Sequence, residues 1–599
     1  MTARERRELG AHIDGTGVRF GAFADAQSCS VELVDDSGGA SSQHALEPAG
    51  DGRWHGFVDG VAAGARYWFV VDGRRLPDPR ARCLPDGVHG PAQVVASPGD
   101  APRALPARPL AEQVIYELHV GTFTEEGTFD AARERLPALA DLGITTIELM
   151  PVAAFAGQRG WGYDGVALFA PHAAYGTPAQ LRRLVEAAHD LGLGVLLDVV
   201  YNHFGPSGNY LAAFSPRYFS DEFQNAWGKA PSFAEPELRQ LVLDNAQYWL
   251  TEFGFDGLRL DATHAIFDRS PRHVLAELAE LAHRLTPRRV IIAEDERNQA
   301  ALVTELGLDA LWADDFHHQT RVTLTGERSG YFAAYAPSVE GIADAINHGW
   351  LYSGQPSPLT GEPRGTSADA LAAESLLYCI QNHDQVGNRA LGDRWPLNEG
   401  FRAASLLLLF LPMTPLLFMG QEWGAASPFL YFTDHDAELG ALVSAGRRRE
   451  FAGFPEFSDP ERQRAIPDPQ AIETFLASKL RWSEREQAEH AATLGLYRAA
   501  LGLRKTDTVL KSTGRAELSA QARDGVLLVQ RQRGEQRRVL LMSFVERDLP
   551  LAELAQKWQL GPTRTLLRSS PGPSDALPPF GAVLLCSEQS KILEPREVR

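Results

Sequence analysis

From about residue 110 onward, compact apolar runs alternate with stretches that carry the apolar spacing of an amphipathic helix. The runs fall at 114–120, 145–152, 194–203, 257–262, 290–295, 310–315, 376–384 and 415–422. Between them lie helix signals such as 130–136 and the stretch from Pro178, where Thr177 is suited to cap and Pro178 to the first helical position. Eight strand–helix units predict a (β/α)8 barrel. The apolar stretch from Leu406 to Met419 is broken by Pro412 and Pro415 and is too short to span a bilayer; it reads as the end of a core helix, a turn and a buried strand.

The flanks follow another period. Short alternating runs at 18–23, 31–34, 54–58 and 67–71, separated by Gly and Asp clusters, predict a small β-sandwich. A Pro-rich segment without apolar period follows, and runs at 526–531, 539–544, 565–568 and 582–586 suggest a β-rich tail. The chain therefore reads as a multidomain α/β protein. Its expected parts are an N-terminal sandwich over 1–96, a linker over 97–109, a central barrel with long inserted loops over 110–514 and a C-terminal β domain over 515–599. The connections after His203 and after Asp315 are too long for plain loops and are expected to wall a cleft.

Composition narrows the function. With 58 basic and 77 acidic residues the formal charge is −19, which opposes nucleic acid and anionic membrane surfaces and suits a neutral substrate. Cys29, Cys83, Cys379 and Cys586 lie far apart with no metal-ligand spacing, so they read as reduced thiols. The start of the chain has no apolar signal region. A cytoplasmic protein without cofactor is expected, and the oligomeric state is open.

Candidate chemistry gathers where the apolar runs end. Asp261 closes Gly257-Leu258-Arg259-Leu260-Asp261, Glu294 closes Val290-Ile291-Ile292-Ala293-Glu294, and Asp384 ends Gln381-Asn382-His383-Asp384. A buried strand that ends in a carboxylate carries a costly charge to the rim of a core. Residues two apart on a strand share a face, so Arg259 is expected to orient Asp261. Acids on one rim repel unless they differ in protonation, and that difference is what glycosidic bond cleavage needs: one carboxylate attacks while a second, protonated, acid serves the leaving oxygen. Asp261 suits the attack, Glu294 the proton delivery, and Asp384 the holding of ring hydroxyls.

Glu296 competes with Glu294 as the acid, although it falls past the apolar run. Asp295 should point away, and Asp198 suits buried support as well as substrate contact. Carbohydrate sites mix aromatic and polar side chains. Trp161, Tyr163, Trp227, Phe316, Tyr431 and Phe432 are the aromatic candidates, each open to a packing role instead. His203 and His264 join them as polar candidates. Trp54 in the sandwich suits packing better than glycan binding.

Asp198-Val199-Val200-Tyr201-Asn202-His203, Gly257-Leu258-Arg259-Leu260-Asp261, Ala293-Glu294 and Asn382-His383-Asp384 resemble, in order, the four motif regions of the α-amylase family of glycoside hydrolases. That resemblance implies a retaining double displacement with Asp261 as nucleophile, Glu294 as acid/base and Asp384 as transition-state stabiliser. It also implies that His203, Arg259 and His383 contact the sugar before the scissile bond. Further stretches, 116–123, 314–318, 381–389 and 419–424, resemble a trehalose-releasing subgroup, and the early sandwich resembles the glycan-binding module of branching and debranching relatives. The subgroup implies cleavage of the α-1,4 bond next to the terminal α,α-trehalose of maltooligosyltrehalose, a substrate among the α-glucans. Asp315, His318, Gln385 and Asn388 carry over as further contacts. Many amylases bind calcium near Asn202; no dense oxygen-ligand cluster is visible there, so no metal is expected. A branching transglycosylase and a non-catalytic glycan-binding protein are the alternatives.

Overall fold

The computed structural model describes residues 9–35, 39–96, 102, 105–452, 454–457 and 459–587. Much of the expected linker, 97–101 with 103 and 104, lies outside the described residues. Eight parallel strands close into a barrel in chain order: β1 (Ile115–Leu118), β2 (Thr146–Leu149), β3 (Gly194–Val199), β4 (Gly257–Leu260), β5 (Val290–Ala293), β6 (Ala310–Trp312), β7 (Leu376–Tyr378) and β8 (Thr414–Phe418). All eight expected runs form these strands. Alternate residues fill the barrel from within: Ile115, Leu196, Ile292, Ala310, Trp312, Leu377 and Leu416 make one inner cluster. Close strand approach explains Gly257, where a Cβ would stand 2.4 Å from Val290 Cγ2 and 2.5 Å from its carbonyl oxygen.

The outer helices start where their caps are. Thr177 accepts from the Gln180 N–H, the Gln180 side chain returns to the Thr177 backbone, and Pro178 opens the helix Pro178–Asp190. The 406–419 stretch divides as expected into the end of the helix Glu399–Phe410 and β8. Among the described residues no helix is long and apolar enough to cross a membrane.

Two antiparallel sheets form the N-terminal sandwich, one built on Gly17–Phe23 and Arg53–Asp59, the other on Cys29–Val34 and Arg66–Val71. Trp54 is half-buried and donates its indole N–H to the Ala24 carbonyl, a packing role. Buried Arg80 fastens this unit to the barrel through Asp244 at 2.8 Å and Glu237. The C-terminal sheet runs Leu518–Arg523, Val526–Arg533, Gln536–Ser543, Ala582–Ser587 and Thr563–Arg568 in spatial order. Its Arg531 donates to the Phe410 carbonyl at the end of a barrel helix. All four cysteines are free thiols.

Two long connections rise over the C-terminal ends of the strands. The one after β3 carries the hairpin Phe219–Asn225 with Gly228–Pro231, whose turn presents Trp227. The one after β6 carries the helices Asp315–Thr325 and Val339–His348, then a hairpin-like loop in which the Gly354 N–H bonds Arg364 O and the Arg364 N–H bonds Gln355 O.

Candidate active site

Arg259 and Asp261 lie on the inner side of β4. The Arg259 guanidinium is fully buried; its Nη1 donates to Asp261 Oδ1 at 2.9 Å and to both oxygens of Asp198, its register partner on β3, at 2.8 Å. Asn202 Nδ2 donates to Asp261 Oδ2 at 2.8 Å. Asp261 is thus an oriented acceptor whose side chain still reaches the cleft.

The next residue sets up its neighbour. Ala262 has φ 39° and ψ 56°, a left-handed conformation that is uncommon for a residue with a Cβ. That turn aims the Ala262 N–H at Glu294 Oε2, 2.6 Å away. Glu294 follows β5 directly. Burial pushes its carboxyl up from 4.5 to about 8, with Asp261, Asp384 and Asp314 adding to the rise and Arg259 opposing it. Near neutral pH it therefore holds a proton. Asp384 stands on the short helix His383–Gly387, which Asn382 caps, and its Oδ1 accepts from Asn388 Nδ2 at 3.0 Å.

The competing acids separate as expected. Asp295 turns to Thr263 at 2.8 Å and Arg297 at 2.6 Å. Glu296 lies beyond the strand with its side chain 73% exposed. Asp198 is a buried support, held by Arg259 and by the Tyr163 hydroxyl at 2.6 Å.

The cleft has two lobes that share Glu294, Asp384 and Asn388. One, of about 360 Å³, is lined by Tyr163, His203, Trp227, Asp261, His383 and Tyr431, among others. The other, of about 480 Å³, is lined by Asp314, His318, Tyr331, Arg364 and Gln385, with residues 357–365 as its outer wall. Trp227 is 49% exposed and stacks on His203 at 3.7 Å, 10° from coplanar, so one face of the indole is free. Gln385 bridges the Tyr331 hydroxyl at 2.8 Å and His318 at 3.1 Å. The long connections therefore wall the cleft as expected.

Several expected contacts lie elsewhere. Phe316 has no exposed surface and stacks on Tyr378 at 4.5 Å, because it faces the strand beneath its helix and not the cleft. Phe432 is likewise core, packed on Phe475. Asp315 is fully buried and accepts from Asn298, Tyr335 and the N–H groups of Leu351 and Tyr352, with Arg364 at 3.2 Å. It braces the wall of the second lobe; the carboxyl that faces that lobe is Asp314, which burial, then Asp384 and Asp315, push up to about 7. Arg259 has no exposed surface, so it acts on carboxylates and not on open cleft. His264 lines neither lobe and sits 4.0 Å from Glu296. Glu422 lies behind β1, bonded to the Tyr116 hydroxyl at 3.1 Å.

Asp314, Arg364 and Glu117 were missed in the sequence. Counting every second residue from Ala310 and Trp312 leads to Asp314, and counting back from His119 leads to Glu117. Arg364 sits in an irregular loop and has no such signal. Among the described residues no group of three His, Cys, Asp or Glu is arranged to hold a metal ion.

Known proteins are similar to this chain in sequence and fold. The model of the alpha amylase catalytic domain matches residues 118–226, and that of carbohydrate-binding module 48, the isoamylase N-terminal domain, matches residues 8–98. The malto-oligosyltrehalose trehalohydrolase of Deinococcus radiodurans is 49% identical over 564 residues, 93% of this chain and 92% of that protein. The protein of the same name from Rhizobium sp. (strain M-11) is 41% identical over 84% of this chain and 87% of its own. A Salmonella typhimurium crystal structure, provisionally described as an alpha amylase, superposes with a TM-score of 0.88 at 37% identity, covering 97% of this chain and 99% of that one.

Proposed function

Because the chain belongs to the family of malto-oligosyltrehalose trehalohydrolases, we propose that it hydrolyses the α-1,4-glucosidic bond next to the terminal α,α-trehalose of maltooligosyltrehalose, releasing trehalose and a maltooligosaccharide. One observation carries the reaction type: Glu294, a carboxyl that burial and neighbouring acids push toward its protonated form, stands beside an oriented carboxylate, Asp261, where two lobes meet. Asp261 attacks the anomeric carbon of the glucosyl unit in the Trp227 lobe, and the C1–O bond breaks as Glu294 gives its proton to the departing oxygen. The glycosyl ester on Asp261 is then cleaved by water, whose proton returns to Glu294. Asp384 holds ring hydroxyls and faces the positive charge that develops at C1.

The leaving group of this reaction is trehalose, so the second lobe is its binding place. Asp314, Gln385 and Asn388 offer it hydrogen-bond partners, while His203, His383, Tyr163 and Trp227 serve the glucosyl side. A neutral glucan suits a chain of charge −19, which disfavours nucleic acid and anionic membranes as partners. Free thiols fit the cytoplasm.

Product analysis tests the reading. Rapid trehalose release from maltooligosyltrehalose, with little action on the unmodified maltooligosaccharide, is expected. New α-1,6 linkages would make the protein a branching transglycosylase, and absence of turnover would leave only glycan binding.

A further inference from the structure

Glu117 stands on the inner side of β1, fully buried, and spends both carboxylate oxygens on one residue across the barrel. Its Oε2 accepts the backbone N–H of His383 at 2.9 Å, and its Oε1 lies 2.6 Å from His383 Nδ1. The other ring nitrogen also meets an acceptor. Tyr163 gives its single hydroxyl proton to Asp198 Oδ2 at 2.6 Å, an acceptor that the buried Arg259 holds by both oxygens, so the Tyr163 oxygen receives Nε2–H of His383 at 2.7 Å. Asp384 Oδ2 lies 3.4 Å from the same Nε2. With acceptors at both nitrogens, the ring carries two protons.

The wider surroundings agree. Burial disfavours a charged imidazole, yet Asp384 and Glu117 raise His383 to about 9, with Arg259 opposing. Glu148 is the register partner of Glu117 on β2; burial, then Glu117 and Asp198, raise its carboxyl well above the usual range. Burial thus favours the uncharged form of Glu148, whose two oxygens meet no hydrogen-bond donor, whereas both Glu117 oxygens are spent on His383. His119, two residues along β1, is buried and lowered to about 3 by burial, so it adds no charge.

We propose that Glu117 is a positioning residue that keeps His383 a fixed imidazolium, and that this cation decides which acid of the cleft carries the proton. Asp261, Glu294, Asp314 and Asp384 crowd one rim, where like charges repel. A cation 3.4 Å from Asp384 offsets the negative charge crowded on this rim and leaves the proton on Glu294, where bond cleavage needs it. Glu117 touches no substrate; it acts through His383. The proposal rests on reading the cleft as a glucosidic site.

The test begins with the ring itself. In wild-type protein labelled with ¹⁵N-histidine, the His383 signals are those lost in His383→Asn. Both nitrogens should be protonated at pH 7.5 and titrate above pH 8; a neutral ring at pH 7.5 overturns the proposal. In Glu117→Gln only one carboxamide oxygen remains to accept two N–H groups. His383 should then be neutral at pH 7.5, and the alkaline limb of kcat/KM should move down by at least one pH unit, with kcat reduced more than KM is changed. A folded Glu117→Gln with its alkaline limb in place and His383 still charged overturns the proposal; if the variant does not fold, the wild-type titration decides. Wild-type protein that leaves maltooligosyltrehalose intact overturns the assigned reaction, and the nitrogen titration still decides the role of Glu117.

Discussion

Glu294→Gln should abolish activity and at the same time stabilise the fold. In the unfolded chain the carboxyl titrates near 4.5, whereas burial among Asp261, Asp384 and Asp314 holds it near 8 in the folded protein. A group raised by folding contributes its full stability below pH 4.5 and loses it as the pH climbs to 8. At pH 7 folding must therefore take up a proton over the pH units between 4.5 and 7, which at about 1.4 kcal/mol per unit costs about 3 kcal/mol. The value at pH 7 is insensitive to the upper figure as long as that exceeds 7. Glutamine needs no proton and can keep the Ala262 N–H bond through its oxygen. Unfolding of the two proteins at pH 5, 7 and 8, by urea or by heating, measures the difference. It should grow from below about 1 to about 3 and then about 4–5 kcal/mol. For a cooperative unit of about 400 residues with an unfolding entropy of about 2.1 cal/mol/K per residue, the change at pH 7 is about 4 °C. A difference that stays constant from pH 5 to 8, or a variant less stable than wild type at pH 8, would refute the reasoning.

Asp261→Asn should lower kcat by at least about two orders of magnitude with the fold intact, and Glu296→Gln, the matched exposed control, should stay within about threefold; steady-state kinetics with maltooligosyltrehalose reads both. Trp227→Ala removes a half-exposed platform whose stacking is worth about 0.5–1.5 kcal/mol, so KM should rise about 2–10-fold with kcat nearly unchanged. Phe316→Ala should instead cost about 3–5 kcal/mol of stability in thermal unfolding, with KM unaffected in protein that remains folded, because the ring packs on Tyr378 and meets no sugar.

The barrel was legible because each strand is a compact apolar run that ends in polar residues, a pattern that survives without knowledge of neighbours. The strand-end carboxylates that line the cleft, Asp261, Glu294 and Asp384, were legible for the same reason. Errors arose where the two-residue period was not carried to the end of the strand. Trp312 faces inward on β6, so Asp314 faces the cleft and Asp315 turns outward into the buried network of Asn298 and Tyr335. The same count marks Glu117 beside His119. Phe316 failed for another reason: an aromatic after a strand end packs or faces solvent according to the helix that follows, and that helix puts its first turn against β7. The Arg364 loop has no period at all, and its place depends on contacts with Asp315, Tyr335 and the Glu296 carbonyl, which are remote in sequence.

The left-handed Ala262 peptide has a consequence for how this protein can change. It joins directly to Asp261 and donates its N–H to the Glu294 side chain, so one peptide of the main chain ties these two acidic residues together. The walls are held differently, Trp227 on a hairpin turn and residues 357–365 on an irregular loop that the Arg364 side chain fastens to Asp315 and the Glu296 carbonyl. Redesign therefore meets a natural dividing line: loops can be exchanged while the tie between Asp261 and Glu294 stays in place, whereas a substitution that restores ordinary backbone at position 262 would release it for every substrate alike.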